Sequence, residues 1–192
     1  MTKENKREQI LLALEQLLPG RRFHEITLEE VAREAQVGKG TIYLYFKDKD
    51  ALFAEMTFWR LECLRQELEK LISQEEKNED FDLPFDRILS LIEEFLQRHL
   101  SWFGARAELA AHVSRLSPEQ CDHGMALRQE LTATLARVLE KTLHCPEEQA
   151  VNHAHMLLWL VFGRAHARIC GQPAIPDAAA LREFFRRGAG LD

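Results

Sequence analysis

The run Lys39-Gly40-Thr41-Ile42-Tyr43-Leu44-Tyr45-Phe46 has the wrong composition for a helix buried in a core. Ile42 and Phe46, four residues apart, can share one buried side. Lys39, Gly40, Thr41, Tyr43 and Tyr45 are left for the other. A lysine ammonium binds a phosphate oxygen or a guanine edge, and a threonine offers both a hydroxyl and a methyl. Glycine lets a backbone come close. A tyrosine lays its ring against thymine methyls and gives its hydroxyl to phosphate. The chain has 2 tyrosines, and both lie in this run. Such a set suits contact with a duplex nucleic acid; ordinary packing is the alternative role for Tyr43 and Tyr45.

These side chains need elements to hold them. Thr27 opens a short helix whose apolar face is Leu28, Val31, Ala32 and Ala35. Its hydroxyl can accept the free N–H of Glu30, while the Glu30 carboxylate reaches back: a capping box. A tight break at Gln36-Val37-Gly38 separates this helix from the Lys39–Phe46 segment. Upstream, Ile10, Leu11, Leu14, Leu17 and Leu18 mark a first helix, stopped by Pro19-Gly20. Downstream, Asp48 caps a helix carrying Leu52, Met56, Trp59, Cys63, Leu64, Leu68 and Leu71. Two short helices bury little alone and need the flanking helices as a platform. This is the helix-turn-helix plan, whose second helix enters the major groove.

The remaining pattern is helical too. Glu75 to Asp82 reads as an acidic loop ending at Pro84, and Phe85 to Phe103 as a helix. A shorter helix is expected over Arg106–Arg115. Ser117-Pro118-Glu119-Gln120 starts another, which Gly124 is expected to interrupt. Pro146 opens a helix to about Cys170, and Asp177 caps the last one. Without strand-like alternation or repeats, the chain is expected to be all-α, with about nine helices.

Composition narrows the classes. The 192 residues are 46% hydrophobic and 29% charged, which fits a folded globular chain. The longest apolar stretch, Met156 to Phe162, is far short of the ~20 residues of a membrane helix. No signal peptide is visible at MTKENKREQI. Cys63, Cys121, Cys145 and Cys170 are scattered without a CxxC. They suggest neither a disulfide framework nor a zinc site, and imply a reducing cytoplasm. The net charge of −6 taken alone argues against nucleic-acid binding. The acidity is uneven, however: residues 1–49 hold nine Lys/Arg and eight Asp/Glu, and residues 50–192 hold 16 and 23. Lys3, Lys6, Arg7, Lys39, Lys47 and Lys49 remain for phosphate, among acids such as Glu29, Glu30 and Glu34. Affinity would then rest on a few placed contacts and two subunits, more than on a broad basic surface.

The segment ITLEEVAREAQVGKGTIYLYFKDKDALFAEM, Ile26 to Met56, resembles the DNA-binding domain of the TetR (tetracycline repressor) family of bacterial regulators. The features that carry the resemblance are Thr27, Val31-Ala32, Val37-Gly38-Lys39-Gly40-Thr41, Tyr43, Phe46, Lys49, Leu52 and Phe53. The match covers roughly the first 60 residues; the rest is similar only in length and helical character. The resemblance implies a DNA-binding domain over residues 1–48 and a helical ligand-sensing and dimerisation domain over 49–192. It implies phosphate contacts from Thr27, Tyr45 and Lys49. Lys39, Gly40, Thr41 and Tyr43 would meet DNA from the recognition helix. Gly38 departs from the pattern, standing where a serine or threonine would add a phosphate contact.

The resemblance also implies that the last two long helices pair with a second subunit. The helix from Glu147 is apolar on most sides. Val151, His155, Leu158, Phe162 and Ile169 make one stripe; Met156, Leu160, Gly163 and Ala167 make another, the expected dimer face. A small organic ligand is expected among the later helices. Its candidate lining is Trp59, Cys63, Phe95, His99 and Trp102, with Phe103, His112, His155, Trp159 and Phe162. Each could instead be plain core. Cys121, His123 and His112 match no zinc spacing, so no metal or cofactor is expected. The expected function is a repressor, as a homodimer, released by its effector from a near-palindromic operator. The alternatives are a protein-interaction module with a degenerate helix-turn-helix, or an α-helical enzyme. No G-x-S-x-G, HExxH or P-loop supports the latter.

Overall fold

A computed structural model of the chain describes residues 3–74, 82–101, 114–169, 171 and 177–188. The architecture is all-α, with eight α-helices and no strand among the described residues. They are α1 (Lys3–Leu17), α2 (Leu28–Glu34), α3 (Lys39–Tyr43), α4 (Lys49–Gln74), α5 (Asp82–Ser101), α6 (Pro118–Leu143), α7 (Glu147–Ile169) and α8 (Ala178–Gly188). A single 3-10 turn, Phe23–Glu25, sits between α1 and α2. Most of the helix expected over Arg106–Arg115 and most of the acidic stretch after Gln74 lie outside the described residues; Ser114 and Arg115, the described end of that span, stand in a turn.

Short-range chemistry sets the helix starts. The Glu30 N–H donates to Thr27 Oγ1 at 3.2 Å and the Thr27 N–H to Glu30 Oε2 at 2.8 Å, so the capping box of α2 is complete. The Ala51 N–H donates to Asp48 Oδ1 at 2.7 Å, and the Ala180 N–H to Asp177 Oδ1 at 2.7 Å. Ser117 and Gln120 form a second reciprocal box, at 3.3 and 3.0 Å. Helix α5 begins at Asp82, three residues before the expected Phe85. Pro84 falls in its first turn, where N–H groups lack an intrahelical acceptor anyway.

The break between α2 and α3 is a Schellman turn. Gln36 takes the left-handed region at φ 52°, which lets the Val37 N–H reach Ala32 O at 2.9 Å and the Gln36 N–H reach Arg33 O at 3.1 Å. Glycine usually fills this position; here a glutamine carries it. Helix α3 is only 5 residues long and ends at Tyr43, short of the expected Phe46. The Leu44, Tyr45 and Phe46 N–H groups bond back to Thr41 and Ile42 in a tightened turn. That turn sends Phe46 into the core.

The chain divides into two compact units, residues 1–60 with 101–124, and residues 61–100 with 125–192. In the first, Ile10, Leu11, Leu14 and Leu18 of α1 and its end pack with Val31 and Ala32 of α2, Ile42, Phe46, and Leu52, Phe53 and Met56 of α4. Arg7 pairs with Glu55 and Arg60 with Glu15, tying α1 to α4 twice. In the second, Leu64 and Leu68 join Phe85, Ile88 and Ile92 of α5, Leu135 and Leu139 of α6, Leu157 and Val161 of α7, and Leu181 and Phe185 of α8.

Gly124 does not interrupt α6, which runs unbroken from Pro118 to Leu143. Its role is spatial. A Cβ at this position would lie 2.9 Å from Cε1 of Phe58, whose ring is buried and also meets His123 edge-on at 5.0 Å. Gly124→Ala therefore gains about 1 kcal/mol of helix propensity but loses about 1–3 kcal/mol to overpacking. Thermal unfolding is expected to show net destabilisation in the wild-type background. In a Phe58→Leu background the same change becomes neutral or stabilising.

Candidate nucleic-acid interface

The start of α2 is a charge-compensated cap. Glu30 accepts from the Thr27 backbone, from the Thr27 hydroxyl at 2.9 Å and from Arg21 Nη1 at 3.0 Å. The Arg21 guanidinium, then the Thr27 donors, hold the Glu30 carboxyl down at about 2. Arg21 is itself fixed by a second bond, from Nη2 to Glu25 O at 2.9 Å. Thr27 is exposed, so its backbone and side chain sit at the open end of the helix, where the dipole favours an anion.

Helix α3 shows the expected two-sidedness. Ile42 is fully buried, while Lys39, Gly40 and Tyr43 are exposed and Thr41 is half-buried. Nothing lies within 4 Å of where a Gly40 Cβ would stand, so the glycine leaves open surface. Tyr43 is 51% exposed, and Leu44, which sequence reasoning passed over, is 78% exposed beside it. Tyr45 is different: half-buried, it packs against the core of this unit. Its ring lies 6.3 Å from that of Phe46. Tyr45 thus combines a packing role with whatever its hydroxyl contacts.

Two lysines are held in ways that spacing could not reveal. The Lys39 ammonium pairs with Glu29 of α2, ten residues back across the turn. Lys49, at the start of α4, places its ammonium 4.4 Å from the centre of the Phe23 ring. Phe23 in turn packs on Phe53, with ring centres 4.2 Å apart. Partial burial pushes the Lys49 ammonium below its ordinary pKa. The cation–π contact gives this lysine a fixed perch beside the α4 N-terminus.

The model of bacterial regulatory proteins of the tetR family matches residues 10–56. The HTH-type transcriptional regulator HbdR of Aromatoleum sp. (strain CIB) is 35% identical over 190 residues, covering 96% of this chain and 78% of that protein. The chain belongs to the TetR family of bacterial regulators. A second member, the HTH-type transcriptional repressor NemR of Escherichia coli (strain K12), is 28% identical over 153 residues, covering 79% of this chain and 72% of that protein. Among solved structures, a TetR-family regulator from Mesorhizobium loti matches with a TM-score of 0.64 at 15% identity, covering all of this chain and 96% of that one. As a TetR-family member, the chain is a DNA-binding transcriptional regulator.

The candidate ligand residues fall in both units. Trp59 packs on the core of the first unit, with the Arg60 guanidinium 4.7 Å above its ring. Cys63 is half-buried, and Phe95 packs partly buried on the core of the second unit. His155, Trp159 and Phe162 are exposed on α7, so they do not line the interior of the chain. Met156, Leu160 and Gly163 are exposed as well, and Ala167 is half-buried. The buried stripe of α7 is Ala150, Ala154, Leu157 and Val161, which the two expected stripes missed. The side chain of His99, and all of Trp102, Phe103 and His112, lie outside the described residues. Among the described residues no cluster of three His, Cys, Asp or Glu is placed to hold a metal, and no helix is long and apolar enough to cross a membrane.

The cap carries a pH signature. The Glu30 carboxyl is lower in the folded chain than its ordinary 4.5, so its contribution is complete above about 4.5 and is lost as pH falls through about 2. Glu30→Gln removes that contribution at every pH. In urea unfolding, wild type is expected to exceed Glu30→Gln in stability at pH 7, with the difference closing as pH falls from about 4.5 towards 2.

Proposed function

We propose that the protein is a transcriptional repressor whose residues 1–48 read a near-palindromic operator and whose residues 49–192 dimerise and sense a small organic effector. One observation carries the reading of DNA: a five-residue α3 anchored by buried Ile42 that leaves Lys39, Gly40 and Tyr43 exposed. In this reading Thr27 and Lys49 bind phosphates at the starts of α2 and α4, Tyr45 adds a phosphate contact, and Lys39, Gly40, Thr41 and Tyr43 meet base edges and backbone. NemR, similar to this chain over 153 residues, is a transcriptional repressor, which supports repression here.

The dimer reading rests on α7. Met156, Trp159, Leu160 and Phe162 are exposed apolar side chains on one helix, with Trp159 75% exposed. A two-fold partner would cover them and set two α3 helices ~34–36 Å apart, one turn of duplex. The effector would occupy the second unit. There Arg164 Nε lies 2.9 Å from Glu93 Oε1, and both side chains are mostly buried. The Arg164 Nη1 atom is buried without a hydrogen-bond partner. A convergent polar group inside an apolar region is what orients a ligand. The effector would favour a form with the wrong half-site spacing, a coupling of about 1–3 kcal/mol. Helix α4, which contributes to both cores, is the natural lever.

Tyr43→Ala is expected to weaken binding to a selected operator by about 1–3 kcal/mol in a mobility-shift titration. Lys49→Met keeps the stem over Phe23 but removes the charge. It is expected to weaken binding to all sequences alike and to make the salt slope shallower by about one. If neither change alters DNA binding, the reading of DNA by α3 and α4 is wrong. Leu160→Arg is expected to yield a monomer in sedimentation; an unchanged dimer would remove this face of α7 from the interface.

A further inference from the structure

The Lys39–Glu29 pair joins the recognition helix to its neighbour across the Schellman turn. The two side chains are 48% and 59% exposed, so the pair stands at the surface that α3 presents. The bond to Lys39 lowers the Glu29 carboxyl, and the bond to Glu29 raises the Lys39 ammonium, so both are charged at neutral pH. Arg21 is similarly engaged by Glu30 at the same end of α2. Lys39 and Arg21 therefore already carry carboxylate partners, both from the start of α2.

Such pairing has a consequence for a polyanion. Free lysines bind any duplex, because each one that neutralises a phosphate releases a condensed counterion. A lysine held by a carboxylate must first give up that partner, and the carboxylate itself is repelled by phosphate. Exposed ion pairs are worth no more than about fivefold in an equilibrium, so a well-placed acceptor can still displace the glutamate. Guanine O6 and N7 offer such an acceptor edge at a fixed position; a passing phosphate does not.

We propose that Glu29 is a specificity-determining residue: it withholds Lys39 from non-specific DNA and releases it where the operator presents a competing acceptor to α3. This rests on the reading of DNA by α3 given above. It assigns a purpose to an acid that would otherwise only weaken a DNA-binding surface. The near-balance of nine Lys/Arg against eight Asp/Glu in residues 1–49 then includes Glu29 as an acid with a role.

The test compares the full chain with Glu29→Gln, Lys39→Gln, the double variant, and Glu34→Gln as a control acid, exposed on the same helix. Each is titrated with a selected operator and a random duplex over a salt series. Glu29→Gln is expected to tighten random-duplex binding by up to about fivefold at low salt and to steepen the salt slope by about 0.9 per lysine released. The ratio of operator to random-duplex affinity falls. In the Lys39→Gln background the steeper slope disappears, and Glu34→Gln shows neither effect. An unchanged random-duplex affinity and slope in Glu29→Gln, with Lys39→Gln still weakening the operator complex, overturns the proposal and leaves the reading of DNA intact. An equal gain from Glu34→Gln also overturns it, since the effect would then be general charge. If neither Lys39→Gln nor Glu29→Gln changes binding to either duplex, Lys39 takes no part in reading DNA and the proposal is overturned.

Discussion

Two buried side chains, Ile42 and Phe46, hold the reading head in place. A helix of 5 residues cannot sustain itself in water, because a single turn fixes many dihedrals for few hydrogen bonds. Ile42 at 0% exposure and Phe46 at 2% give α3 the anchorage it lacks. The cavity that receives them is built by α1, α2 and the first turns of α4, and the ion pairs Arg7–Glu55 and Arg60–Glu15 hold α1 against α4. With that face fixed, Lys39, Gly40 and Tyr43 have nowhere to go but outward.

The surface so displayed is economical in charge. Glu30 caps α2 and holds Arg21, Glu29 holds Lys39, and Lys49 rests on Phe23. Each of these three cations is placed by a specific neighbour, so this part of the surface is one of located contacts. That arrangement reconciles an acidic chain with membership of a DNA-binding family. It also shifts the source of discrimination from gross attraction towards the exchange of one partner for another at particular positions.

Glycines serve unequal ends in this chain. Gly124 makes room for the buried Phe58 ring inside the first unit, and Gly40 keeps an exposed helical surface bare. The left-handed residue of the helix-turn-helix break is Gln36, so the turn is maintained by its hydrogen bonds and by the packing of Ala32 and Val37.

Much of this was legible in the residues because it is local. Capping depends on partners three residues apart, so Thr27–Glu30, Ser117–Gln120, Asp48 and Asp177 could be assigned from spacing alone, as could the inward pair Ile42 and Phe46. The family resemblance was carried by that same stretch. Three matters needed the tertiary structure. An apolar stripe on α7 is visible in any sequence that is apolar nearly all round, but only packing selects Ala150, Ala154, Leu157 and Val161 as its buried side and leaves Trp159 outside. Gly124 reads as a helix breaker until a distant ring is seen to occupy the space beside it. The partners of Lys39 and Lys49 lie 10 and 26 positions back in the chain. Periodicity reports which face a residue takes on its own helix; what that face meets is set by how separate helices come together.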